Sequence, residues 1–214
     1  MDCIMEAGNF GQEYFFQDIW AANKIYRSNV KKVYDIGSRV DGFIAHLLAM
    51  EISVTMLDIR PFPHNIEGLN FLQANAMDMS NIPDNSFETV TALCSFEHFG
   101  LGRYGDPVDY DGWKKALHEV KRKLKVGGKF YLSVPVGRKD RLEWNAHRIF
   151  NPCSILAEML PEVTLSEFSY IADWKINTAL YGNIEMSQLK AVAEDLPIIE
   201  HGGLFGLFMF QKNQ

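Results

Sequence analysis

Asp35-Ile36-Gly37-Ser38 and Leu57-Asp58 are the points in this chain where residue type and spacing promise chemistry. Each ends a short apolar run, and a stretch with helical periodicity lies between them, which outlines a βαβ unit. A glycine at the first strand-to-helix turn lets backbone approach a ligand closely. A carboxylate about 20 residues later can accept hydrogen bonds from both hydroxyls of a ribose. The same turn argues against two ligand classes. Gly37 and Gly42 have the spacing of a phosphate-binding loop, but Phe43 and Ile44 stand where its Lys and hydroxyl belong, which disfavours nucleoside triphosphates. Arg39 replaces the second glycine of a dinucleotide fingerprint, which disfavours NAD. A ligand with ribose and adenine but no phosphate asks less of the turn, and the acidic pair Asp35 and Asp58 suits one that carries an ammonium and a sulfonium. S-adenosylmethionine meets that description.

A second group of candidates lies further along. Ser95-Phe96-Glu97-His98 and His147-Arg148 supply two histidines, a carboxylate and a guanidinium. A histidine titrates close enough to neutrality to act as a general base toward a hydroxyl acceptor. His98 is the first choice for that base, with Glu97 orienting it and His147 as the alternative. Arg148 and Tyr104 are the candidate substrate contacts, and the basic pair at 147–148 suits an anionic or hydroxyl-rich acceptor. Each residue also has a plainer reading: Asp35 as a turn cap, Glu97-His98 as an anchor of its loop, His147-Arg148 as a cap for the next segment. His46 and His118 fit structural positions better than catalytic ones.

The elements that must position these groups follow from periodicity and breakers. Residues 13–27 read as an amphipathic helix with Tyr14, Phe15, Trp20, Ile25 and Tyr26 on its apolar side. Strands are expected at 31–36, 53–57, 69–73, 87–93 and 130–134. A helix at 42–50 carries Ile44, Leu47 and Leu48 at helical spacing. A stronger one at 112–125 is capped by Asp111 and ended by Gly127-Gly128, with Lys114, Lys115, Lys121, Arg122 and Lys123 on a solvated face. Beyond residue 156 the pattern weakens to a strand at 164–171, a helix at 187–194 and an apolar last strand at 204–211, suited to a sheet edge. Strands alternating with helices imply an α/β, Rossmann-like, doubly wound sheet. In such sheets ligands bind outside the carboxyl ends of the strands. That is where Gly37, Asp58, Asn75, Cys94 and His98 should converge, and Asp35, Ser38, Ile59, Ala76 and Met77 complete the candidate cofactor residues.

Composition is consistent with one globular domain of 214 residues, 47% hydrophobic and 22% charged. A formal charge of −6 opposes phosphate-backbone binding, so no nucleic-acid partner is expected. No apolar run reaches membrane-span length, and the N-terminus lacks a signal-peptide pattern, which points to a cytoplasmic protein without a membrane span. Cys3, Cys94 and Cys153 are odd in number and widely spaced, as reduced thiols would be, and no metal site is expected.

Over roughly residues 31–160 the chain resembles the class I S-adenosylmethionine-dependent methyltransferases. The first motif of that superfamily is similar to Val33-Tyr34-Asp35-Ile36-Gly37-Ser38, and Asp58 corresponds to its ribose ligand. Gln73-Ala74-Asn75-Ala76-Met77-Asp78 resembles the GDA stretch, whose acidic residue accepts from the adenine amino group; Asn75 takes that place, with Asp78 as a rival. Ile82-Pro83-Asp84-Asn85-Ser86-Phe87-Glu88, Ser95-Phe96-Glu97-His98 ("LEH") and Leu124-Lys125-Val126-Gly127-Gly128 with Ser133-Val134-Pro135 ("LKPGG…SVP") complete the likeness. The turn Arg39-Val40-Asp41 departs from it by one extra residue and fewer glycines.

The resemblance implies a mostly parallel seven-stranded sheet with an antiparallel last strand. It implies one domain: a helical cap over 1–30, a cofactor core over 31–160 and substrate-side elements over 161–214. Tyr14-Phe15-Phe16-Gln17-Asp18 and Asn145-Ala146-His147-Arg148-Ile149-Phe150-Asn151-Pro152 look most like a poorly characterised group of bacterial methyltransferase-like proteins associated with surface-polysaccharide biosynthesis. The implied activity is O-methylation of a small molecule such as a sugar or sugar-linked group. A NAD-dependent dehydrogenase and a non-catalytic binding subunit of the same fold are the competing readings.

Overall fold

The computed structural model describes residues 12–143 and 147–214, so Cys3 and the Asn145-Ala146 part of the second motif lie outside the described residues. The first five strands are β1 (Lys32–Ile36), β2 (Ser53–Asp58), β3 (Leu69–Gln73), β4 (Phe87–Leu93) and β5 (Leu124–Val136). They run parallel in the spatial order β3-β2-β1-β4-β5. Strand β4, Phe-Glu-Thr-Val-Thr-Ala-Leu, is buried at every position but Glu88, as expected where helices cover both faces of a sheet. A short antiparallel hairpin follows, β6 (Arg141–Glu143) with β7 (His147–Ile149). The sheet is then completed by β8 (Val163–Ala172), β9 (Lys175–Tyr181) and β10 (Leu204–Lys212).

The sheet has eight strands, one more than expected. Strand β9, Lys-Ile-Asn-Thr-Ala-Leu-Tyr, is an edge strand hairpinned to β8. No residue along it is fully buried, so its sequence carries no clear apolar alternation. Strand β10 is antiparallel as anticipated but is not an edge: it pairs with β5 on one side and β8 on the other. Its Leu204, Leu207, Phe208 and Phe210 are buried, which an edge would not require.

Helices α1 (Gln12–Arg27) and α2 (Ala45–Ala49) pack on one face of the sheet; α3 (Gly112–Lys123), α4 (Pro152–Met159) and α5 (Met186–Asp195) pack on the other. In α1 the buried surface is Trp20, Ala21, Ala22 and Ile25, whereas Tyr14, Phe15 and Tyr26 are exposed, against expectation. The alanines let the helix settle close to the sheet, and Glu167 on β8 fixes it there. Glu167 accepts from the Trp20 indole (3.0 Å) and pairs with Lys24. Helix α3 ends two residues early and passes at Leu124 directly into β5, so Gly127-Gly128 lies at an irregularity in the β4–β5 register rather than at a helix end. Asp111 makes no side-chain cap there and instead pairs with Lys114 at 3.1 Å. Nor is the whole basic stretch solvated: Lys123 is fully buried, donating to the Ile82 carbonyl and pairing with Asp84 at 2.8 Å. Among the described residues, no helix is long and apolar enough to cross a membrane.

Candidate cofactor cavity and acceptor mouth

Strand order reverses between β1 and β4, and a cavity opens beyond the carboxyl ends of the strands there, as the rule for open α/β sheets requires. Gly37 at the end of β1, Asp58 and Ile59 at the end of β2, Asn75, Ala76 and Met77 after β3, and Cys94 and His98 after β4 all line it, with Tyr104 at the rim. The sequence therefore brings nine of its nominated residues to one place.

Gly37 has φ +71°, and a side chain there would meet the Ser95 Cβ at 3.1 Å. Glycine is required on both counts, and it leaves backbone facing the cavity. Behind that backbone lies Asp35. Its fully buried carboxylate accepts from the Ser38 amide (3.0 Å), the Ser38 hydroxyl (2.7 Å) and the Thr91 hydroxyl (2.6 Å). The Ser38 hydroxyl in turn accepts from the Leu93 amide at 3.0 Å. Asp35 and Ser38 thus brace the turn against β4; neither lines this cavity, although Ser38 lines the adjoining one with Gly37, Asp58 and Arg60. Burial pushes the Asp35 carboxyl up to about 6, held back by the three donors.

The residue added to the turn has a structural counterpart. Residues Val40–Ile44 form a single π-helical turn before α2 begins, the form that one inserted residue takes at the start of a helix. Arg39 points along this loop to Asp41 (2.8 Å). A side chain at Gly42 would run into the buried carboxylate of Asp18 on α1.

At the end of β2, Asp58 accepts from the Arg60 amide (2.8 Å), Nε (2.9 Å) and Nη2 (2.6 Å). This pairing holds the Arg60 guanidinium proton more tightly than usual. Asn75 lines the cavity and uses its Oδ1 to accept the Met77 amide at 3.0 Å, whereas Asp78 is exposed, turned to Ser80 and outside the lining. Cys94 has φ +54°, an uncommon conformation for a residue with a side chain. Its thiol donates to Gln17 Oε1 of α1 (3.2 Å), so the cap helix is tied to the cavity wall.

A second group of side chains gathers around His98. Its ring is edge-on to Tyr104 at 5.4 Å and to His147 at 6.2 Å, so the two histidines nominated as rivals are neighbours. Glu97 is 3% exposed, with Oε1 3.7 Å from His98 Nε2 and no hydrogen-bond partner for Oε2 among the described residues. Burial drives its carboxyl up to about 8, partly offset by its own backbone amide and Cys94. Burial also lowers the His147 imidazole, favouring the neutral form, and its Nε2 is another buried atom without a partner among the described residues.

Arg148 does not join this group. It is buried, and its guanidinium donates to the Phe99 carbonyl (2.6 Å) and the Tyr110 carbonyl (3.2 Å), clamping both feet of the loop that carries Tyr104. It is a positioning residue, which corrects its nomination as a substrate contact. The next helix is capped by Asn151, whose Oδ1 accepts the Cys153 amide at 2.9 Å. His118 pairs with Glu158 (2.9 Å), in keeping with a structural role.

Tyr14, Arg39, Arg60, Ser95 and Asp106 also line the cavity and escaped notice as site residues. Tyr14 lies in a motif singled out for its pattern, and Arg60 is two residues past Asp58; only the fold shows that they share a wall.

Solved structures with this fold are distant in sequence. The 1,6-didemethyltoxoflavin-N1-methyltransferase of Burkholderia thailandensis, with bound 1,6-didemethyltoxoflavin and S-adenosylhomocysteine, superposes with a TM-score of 0.63 at 14% identity, covering 94% of this chain and 80% of that one. A SAM-dependent methyltransferase from Archaeoglobus fulgidus gives 0.54 at 15% identity over 91% and 94%. The [4+2]-cyclase SpnF gives 0.61 at 13% identity over 91% and 81%. These likenesses establish the class I methyltransferase fold, and the cyclase shows that the fold does not dictate one reaction. No curated protein matches the chain. A family model described as "Caenorhabditis protein of unknown function, DUF268" matches residues 47–196, and the chain belongs to that family.

Proposed function

We propose that the protein is an S-adenosylmethionine-dependent methyltransferase of the cytoplasm that methylates a hydroxyl on a small molecule, such as a sugar or sugar-linked group of the kind used in surface-polysaccharide biosynthesis. The observation that carries this reading is the convergence of Gly37, Asp58, Asn75 and His98 on one cavity at the strand-order switch. The residues fit the cofactor: Asp58 offers a carboxylate for the ribose hydroxyls, Ile59 and Met77 offer apolar surface, Asn75 offers an amide beside them, and the Gly37 backbone is open. In this reading residues 31–160 hold the cofactor, residues 1–30 cap it and residues 161–214 complete the acceptor side.

The bound cofactor would supply a methyl carbon already activated by its sulfonium. What remains for the chain is to align the acceptor, keep water out and accept a proton. His98 is placed for the last task. Glu97 beneath it supports its orientation, and neutral His147 stands beside it as the alternative base. Tyr14 and Tyr104 both line the cavity, and in this reading Tyr104 is the acceptor contact.

Calorimetry tests the cofactor assignment. S-adenosylhomocysteine should bind at micromolar Kd and NAD should not; NAD binding alone would favour a dehydrogenase, and binding of neither a non-catalytic protein. Transfer of labelled methyl from S-adenosylmethionine to a panel of sugars and sugar nucleotides then tests the acceptor class.

A further inference from the structure

Asp58 is the carboxylate assigned to a ribose, yet its side chain is already occupied. Arg60 Nε and Nη2 take one oxygen each, at 2.9 and 2.6 Å, and the Arg60 amide takes a further position on Oδ1 at 2.8 Å. A carboxylate has about four acceptor positions, and a forked guanidinium uses the pair of directions that a diol would need. The guanidinium and a ribose diol are competitors for one edge of Asp58. The other side of Arg60 is also engaged: its Cζ lies 4.6 Å over the ring of Tyr104, whose centroid is 5.4 Å from that of the perpendicular His98 ring. Tyr104 is held in place from below, since Asp106 accepts its amide (3.2 Å) and the Gly100 amide (2.7 Å), while Arg148 clamps the ends of the loop.

We infer that Arg60 is an affinity-setting and positioning residue that closes Asp58 in the free protein and must yield it to the cofactor, freeing the face of Tyr104 toward the cavity as it leaves. This rests on the assignment of Asp58 to a ribose. The side chain of Arg60 is half exposed, so it can move into solvent without disturbing the core. Tyr104 cannot follow it far. Occupancy at Asp58 is thereby linked, through one arginine and one ring, to the side chains around His98. Apparent affinity falls by the fraction of molecules in which Asp58 is free, so removing the competitor must tighten binding.

The experiment is calorimetric titration of S-adenosylhomocysteine into the full chain, into Arg60→Gln, Tyr104→Leu and Asp58→Asn, at about 50 and about 500 mM NaCl, a range that spans weak to strong screening. Arg60→Gln should bind about threefold to tenfold tighter than wild type at low salt, as expected for loss of one exposed ion pair with a ring contact. The advantage should shrink at high salt, where the wild-type pair is screened. Tyr104→Leu, which loosens Arg60 without removing it, should tighten binding by about twofold and guards against a folding defect in Arg60→Gln. Asp58→Asn should weaken binding at either salt. Weaker binding by Asp58→Asn with unchanged or weaker binding by Arg60→Gln would overturn the role of Arg60 alone. Binding by Arg60→Gln where wild type shows none would support it in extreme form. If no variant binds, or Asp58→Asn binds like wild type, the ribose assignment and the inference fall together.

Discussion

Replacing Glu97 with glutamine tests the most unusual electrostatic feature of the site. Glu97 lies on the short turn Phe96–His98, is 3% exposed, and its Oε2 has no hydrogen-bond partner among the described residues. Burial raises its carboxyl from 4.5 to about 8, so at neutral pH the native protein holds a proton that the unfolded chain has released. The native state binds more protons than the unfolded state between those two values. The resulting stability is present in full below about 4.5 and is lost as the pH rises through about 8. At about 1.4 kcal/mol per pH unit the span sets a ceiling of about 5 kcal/mol, and relaxation around an ionised Glu97, with His98 close by, reduces it to about 2–3 kcal/mol. A glutamine at this position is nearly isosteric and cannot ionise. About half of that is already lost between about pH 4.5 and about pH 5.5, so urea unfolding between about pH 5.5 and about pH 8.5 should show wild type losing about 1–2 kcal/mol relative to Glu97→Gln, with the slope m unchanged. The raised carboxyl of Asp35 is common to both proteins and cancels. Parallel stability curves across that range would show that Glu97 is ionised or solvated in the native state, and the burial argument would fail.

Gly37→Ala places a side chain at φ +71° and 3.1 Å from the Ser95 Cβ, so urea unfolding should register a loss of about 1–2 kcal/mol, with weaker binding of S-adenosylhomocysteine. Arg148→Met removes the donors to the Phe99 and Tyr110 carbonyls; limited proteolysis should then cut within residues 99–111 several-fold faster while cofactor affinity stays within about twofold. His98→Ala should leave that affinity unchanged and slow methyl transfer about 100-fold, measured with whichever hydroxyl acceptor the sugar panel yields; an undiminished rate would remove it as the base.

The parts of this fold that are legible in the sequence are those whose local pattern and tertiary role agree. Strand β4 reads correctly because a strand covered on both faces needs a nearly continuous apolar run, and Leu69–Gln73 emerges between clear breakers. Strand β9 is hidden because an edge strand with no fully buried residue has no periodicity to display. Gly127-Gly128 misleads because a glycine pair after a helix commonly marks its end, and only the pairing of Phe87 with Leu124 shows that the chain is already a strand. The site divides in the same way. Asp58, Asn75 and His98 are visible as residues at strand ends. Arg148 is misread because sequence reports a charge but not the two carbonyls, 49 and 38 residues away, that claim it.

The glycine-poor turn after β1 shows why a site of this kind cannot be read from its ligand contacts alone. Gly37 and Gly42 look like two members of one ligand-binding loop, yet they answer different demands. Gly37 keeps its backbone open to the cavity against Ser95. Gly42 makes room for Asp18, a buried carboxyl on α1 that burial pushes above its ordinary value and the Gln17 amide pulls back. Gln17 donates to Asp18 at 3.2 Å and accepts from the Cys94 thiol at 3.2 Å, so the second glycine, the cap helix and the strained residue at the end of β4 form one connected set. Against that set the extra residue in the turn is absorbed as a π-helical turn at Val40–Ile44, with Arg39 paired to Asp41 at the edge of the cavity. The departure from the glycine-rich pattern is then the local form of a fold in which α1 packs against the turn through Asp18 and reaches the cavity wall with Tyr14.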